Sequence, residues 1–174
     1  MSKVPATDPS LAFVLDLCNT HDLLEDPPDR LTIPLVDHIT THHGLPLFGL
    51  TPPDLEPLRS VRSTLYAVFA TNSVPHQTDL LNHLFTTHAA VPRLLEGVGM
   101  AAVGGEGAVG KLAVLAADVL ARVIAEGSAD RLRTCVGDPC RCVYVDRTKA
   151  NRQRYCCELC NDRMASAAYR RRNR

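Results

Sequence analysis

The chain has 174 residues, is 45% hydrophobic but only 5% aromatic with no Trp, and carries 19 basic against 19 acidic residues. That is enough apolar material for one mid-sized aliphatic core, with or without a small appendage. Its apolar runs are broken by Asp, Gly or Arg well short of a membrane span, and residues 1–10 have no apolar signal-like segment, so a cytoplasmic protein with no membrane partner is expected.

Residues 11–19 (LAFVLDLCN) are apolar up to Asp16 and predict a buried helix ending near Asn19 or Thr20, although a buried strand shares that pattern. Residues 22–34 are acidic and Pro-bearing and predict a loop, followed by a short helix from Leu35 to His43 that Gly44 ends. Thr51 before Pro52 and Pro53 is a helix start, because a hydroxyl can cap and proline lacks the amide hydrogen that has no use there. Leu55, Leu58, Val61, Leu65, Val68 and Phe69 then follow at three- and four-residue spacing, which predicts an amphipathic helix of about 19 residues. Leu80, Leu81, Leu84 and Phe85 mark another helix. The glycines within 92–109 suggest a hairpin with strands near 93–96 and 99–103. A strong helix spans Ala108–Ala125, with Leu112, Leu115, Ala116, Val119 and Val123 on one face, and Gly127 ends it.

The remainder differs in charge and chemistry. From Asp130 onward one Lys and eleven Arg face four Asp and one Glu, a net of +7, which leaves −7 on the preceding residues. Six of the seven cysteines, 135, 140, 142, 156, 157 and 160, fall within 26 residues. In a reducing compartment such a cluster points to metal rather than disulfides, and thiolate pairs separated by a hairpin-length insert suit tetrahedral zinc better than an iron–sulfur cluster. Cys135, Cys140 and Cys160 take three places on spacing, and either Cys156 or Cys157 takes the fourth. Val143-Tyr144-Val145 predicts one strand, with a turn and a second strand after it and a helix from the last cysteines, a treble-clef-like order. About 45 residues bury too little apolar surface to fold alone, so this segment is expected to depend on one structural Zn2+. Its helix carries Arg163, Arg170, Arg171, Arg172 and Arg174, and Lys149, Arg152 and Arg154 sit in the turn before it; such a surface neutralises phosphates.

The stretch from Cys135 to Arg172, with Val143-Tyr144-Val145-Asp146, then Tyr155-Cys156 and Cys160-Asn161-Asp162-Arg163, resembles the CGNR zinc finger. The resemblance implies that Cys156, preceded by an aromatic, is the third ligand. It also shows two departures, Asn161 for Gly and Asp162 for Asn. Leu15-Asp16-Leu17-Cys18-Asn19-Thr20 and Leu50-Thr51 are similar to the opening signature of the ABATE domain that precedes this finger in bacterial stress-responsive regulators.

The expected fold is therefore α+β: a mainly helical domain with a small β-hairpin over 1–128, then a zinc finger ending in a basic helix over 130–174. The expected function is zinc-dependent DNA binding in transcription regulation, with a small-molecule effector and a homodimer left open as further partners. A helical ligand-binding or enzymatic domain whose finger contacts protein or RNA is the alternative. Asp16, Asn19 and Thr20 either bind a ligand or tie down a loop. His38, His42 and His43 are either a second metal site or exposed side chains. No nucleophile–base pair or phosphate loop is recognisable, so no enzymatic activity is expected.

Overall fold

A computed structural model describes residues 8–97 and 99–173. Helix α1 (Pro9–Cys18) starts at Asp8, whose carboxylate accepts the Ser10 amide at 2.8 Å, and it buries Leu11, Phe13, Val14 and Leu17. Helix α2 (Ile33–His42) starts two residues earlier than the sequence suggests, because Thr32 caps it and Pro34 fits its first turn. Pro52–Asp54 form a 3-10 turn that runs into α3 (Leu55–Ala70). The Thr51 amide and hydroxyl both donate to Asp54 at 2.7 Å, so that carboxylate fixes the entry to the helix. Helix α4 (Val74–Thr87) is capped by Ser73 and leads into the antiparallel hairpin β1 (Val91–Leu95) and β2 (Gly99–Val103), in the expected place. Helix α5 (Gly107–Ala125) packs against α1, α3, α4 and β2 and is the centre of the body. Its buried face is wider than the predicted stripe, adding Ala113, Ala117 and Leu120 to Leu112, Ala116, Val119 and Val123.

The second hairpin departs from the expected order. Strand β3 (Leu132–Thr134) lies before Cys135 and pairs antiparallel with β4 (Val143–Val145), whereas 147–154 form no strand. The physical reason lies in Asp146, whose carboxylate takes the Thr148 and Gln153 amides, each at 2.8 Å, and folds that segment into a loop. Leu132, Val143 and Val145 belong to the same buried cluster as Phe13, Leu58 and Leu112, so β3 and β4 are roofed by α1 and α3. Helix α6 (Glu158–Arg172) follows and buries only Cys160. Among the described residues no helix is long and apolar enough to cross a membrane.

Candidate metal centre and its basic surround

Four sulfurs converge. Cys135, Cys140, Cys156 and Cys160 each present Sγ within 4.8 Å of the others, in a small cluster of their own beside Tyr144 and Tyr155. The Sγ atoms of Cys140 and Cys156 are 3.7 Å apart, and those of Cys156 and Cys160 are 3.6 Å apart. Zinc–sulfur bonds near 2.3 Å in a tetrahedron give sulfur–sulfur edges of about 3.8 Å, so these separations fit one zinc ion. Burial pushes the Cys156 and Cys160 thiols up, and a divalent cation held among the four sulfurs would offset that cost by stabilising their thiolates. Cys156 rather than Cys157 completes the set. Cys157 is exposed and precedes the first residue of α6, with its Sγ 3.8 Å from that of Cys156. Cys142 instead groups with Asp22 and Cys140, and Cys18 is a core thiol that burial pushes up to about 12.

The chain shapes this centre closely. Cys135 Sγ accepts the amides of Gly137 and Cys156 at 3.4 Å, which orients the sulfur and moderates its charge. Gly137 O accepts from Cys140 N at 2.7 Å and from Arg163 Nη2 at 2.8 Å. A Cβ on Gly137 would lie 3.3 Å from the Tyr155 ring and 3.4 Å from Arg163 Nη2, so glycine gives the two side chains room to close over the knuckle. Arg163, expected to face DNA, turns inward, with Nη2 3.7 Å from Cys160 Sγ, where its charge offsets part of the thiolate excess.

The loop after β4 is braced from three sides. The hydroxyl of Thr148 donates to the Asp146 carboxylate at 2.6 Å, alongside the two amides already described. Burial would raise this carboxyl, but those hydrogen bonds outweigh it and hold Asp146 below the usual range. Arg133 donates to Gln153 O and, at 3.0 Å, to Asn151 O. Tyr144, whose phenol burial pushes up to about 12, donates to Gln153 O at 2.7 Å. Lys149, Arg152 and Arg154 stand exposed on this fixed loop. Arg152, Arg154, Tyr155 and Asn161 border a cleft of about 460 Å3 between the loop and the first turn of α6. Arg170, Arg171 and Arg172 are exposed at the other end of α6, and Arg174 lies outside the described residues.

The N-terminal signature residues separate. Asn19 clasps β4, donating from Nδ2 to Val143 O at 3.1 Å and accepting Val143 N at 2.7 Å. Thr20 is buried, donates to Leu17 O at 2.7 Å and accepts from Arg62 Nη1 at 2.8 Å. Arg62, only 6% exposed, also grips Asp29 through both terminal nitrogens, at 2.7 and 3.0 Å. These hydrogen bonds, with the smaller contribution of Arg59, hold the Asp29 carboxyl well below the usual range despite partial burial. Asp16 is exposed and meets His43 at 2.7 Å. The polar groups of Asn19 and Thr20 are thus engaged with the chain itself. The His38 and His42 rings stack with centroids 6.4 Å apart and the His42 and His43 rings meet edge to face at 5.0 Å, but no histidine enters a group of three or more converging metal-binding side chains among the described residues. Sequence reasoning singled out Asn19 without its partner, and it missed Gly137, Arg133 and the loop-bracing roles of Tyr144 and Asp146.

No curated protein matches the chain significantly. Residues 131–173 match the CGNR zinc finger, which covers β3, all four converging cysteines and the described part of α6. Residues 11–133 match the ABATE family, described as "putative stress-induced transcription regulator". The chain belongs to the ABATE family and ends in a CGNR zinc finger with Cys135, Cys140, Cys156 and Cys160 as its one zinc site.

Proposed function

We propose that this chain is a zinc-dependent, DNA-binding regulator of transcription whose 147–154 loop and exposed α6 face the nucleic acid. The observation that carries the proposal is the braced basic loop. Lys149, Arg152 and Arg154 project from a backbone held by Asp146, Arg133 and Tyr144, so binding orders little that is not already ordered. Arg170, Arg171 and Arg172 extend the positive surface along the outer side of α6, which is exposed and free to enter a groove, while Cys160, Arg163, Met164, Ala167 and Ala168 form its shielded stripe. Arg163 supports the metal centre in this reading and does not touch DNA. The helical body would report a small ligand or a stress signal to the finger through the seam at Asn19, Thr20 and Val143.

The test is fluorescence anisotropy of the zinc-loaded full chain with a short duplex. If six side chains each neutralise one phosphate, the slope of log K against log salt is about −5. A flat salt dependence, or single-stranded RNA displacing the duplex at equal concentration, overturns the reading.

A further inference from the structure

A cleft of about 530 Å3 opens between the α3–α4 corner of the body and the outer side of β3, β4 and the braced loop. One of its lining residues is unusual. Gln77 on α4 is only 1% exposed, and its Nε2 donates to Val68 O at 3.0 Å and to Thr71 O at 3.3 Å. Those bonds fix the amide orientation and leave Oε1 buried with no partner. A buried acceptor without a donor keeps its desolvation cost uncompensated, so its persistence calls for a missing partner. The only other such atom among the described residues, Arg163 Nε, belongs to the metal centre.

The rest of the lining says what that partner carries. Phe69, Val74 and Val136 supply apolar walls, and the Arg133 and Arg154 guanidiniums outnumber the single carboxylate of Asp130. Arg133 already serves Asp130 O, Asn151 and Gln153 O. Arg154 makes no side-chain hydrogen bond to any described residue, and its charge lies 5.8 Å from the Tyr155 ring centroid. The volume lies within the range of small-molecule sites.

We infer that this cleft binds a small organic acid with an apolar body and one N–H or O–H group, the acid meeting Arg154 and the donor meeting Gln77 Oε1. Such a ligand touches the body through Gln77 and the finger through Arg154 and Gln153. Because Arg154 also belongs to the surface proposed for DNA, ligand and DNA weaken each other's binding by the same factor. That consequence rests on the DNA-binding reading, whereas ligand binding itself does not.

The experiment is thermal unfolding of the zinc-loaded full chain with 4-hydroxybenzoate, benzoate and 4-hydroxybenzamide, at up to ten millimolar. 4-Hydroxybenzoate should raise Tm by about 3–6 °C once it exceeds its dissociation constant roughly tenfold. Benzoate, without the donor, and the amide, without the charge, should each do less. Gln77→Leu should remove the advantage over benzoate, and the surface change Arg154→Ala should remove the advantage over the amide. No shift with 4-hydroxybenzoate overturns the inference, as does an undiminished shift in both variants, which would mean that water satisfies Gln77. Duplex titration of the wild type without probe tests DNA binding separately, so either idea can fail alone.

Discussion

Replacing Asn19 with Ala tests how far the finger depends on the body. The amide makes a two-point clasp on Val143, and Val143 is only 2% exposed, so the variant strands a buried N–H and a buried C=O together. Leaving one such group unsatisfied costs about 1–3 kcal/mol, and partial hydration at the seam lowers the total, so about 3 kcal/mol is expected for the pair. In a chain of this size that lowers Tm by about 6–12 °C. The strand held by Asn19 leads directly into Asp146 and the basic loop, so zinc should also leave faster. Release into a chromogenic chelator, followed at constant temperature, reads that second effect. Asn19→Asp keeps the acceptor for Val143 N but sets a carboxylate oxygen against Val143 O, and it should be no better than Ala. Asp16→Asn, which alters an exposed contact with His43, should leave both readings within error. Unchanged Tm and unchanged zinc release in Asn19→Ala would refute the idea that this signature residue couples body to finger.

Cys140→Ser should abolish bound zinc measured by elemental analysis, whereas Cys157→Ser should retain one ion per chain, because only the first sulfur lies among the converging four. Asp146→Ala frees the Thr148 and Gln153 amides, so limited trypsin digestion should cut within 147–154 several-fold faster while zinc stays bound. Asp29 is held below its ordinary value, so its contribution is complete above about pH 4 and is lost as the pH falls through the depressed value. The stability difference between wild type and Asp29→Asn should therefore shrink from pH 6 to pH 3, and a constant difference would count against the Arg62 pairing.

The fold was legible where periodicity and punctuation agree. The leucines of α3 and α5 and the terminating Gly44 and Gly127, both at positive φ, mark helices that need little tertiary help to be recognised. β3 was not legible because Leu132-Arg133-Thr134 is three residues long and gains its place only by pairing with β4 and by burying Leu132 in the body. The zinc ligands were legible because cysteine is rare and its spacing is chemical information. The supports of the site were not, because Arg133, Asn19 and Gln77 act through partners distant in sequence. An arginine that turns onto a metal centre also reads the same in sequence as one that points to solvent, and Arg163, which donates to Gly137 O, is the case in point.

Asp162 is the place where this finger differs most from its family pattern in charge, and the structure narrows what it can do. It does not cap α6, which begins at Glu158 with Cys157 before it, so Asp162 sits on the fifth position of the helix, exposed to solvent. It also does not touch the zinc sulfurs, which are served by Gly137, Cys156 and Arg163. What remains is a negative charge one residue beyond Asn161, which borders the Arg152 and Arg154 cleft. If the first turn of α6 approaches a phosphate, this carboxylate repels it across a partly screened distance. Asp162→Asn should then tighten duplex binding by about 2–10-fold at low salt, with a smaller gain at high salt, because screening already weakens the repulsion. Zinc content and Tm should not change. An unchanged affinity at every salt concentration would mean that the helix meets DNA through its Arg170–Arg172 end alone, and that the substitution of the family's residue at this position has relaxed nothing the protein reads.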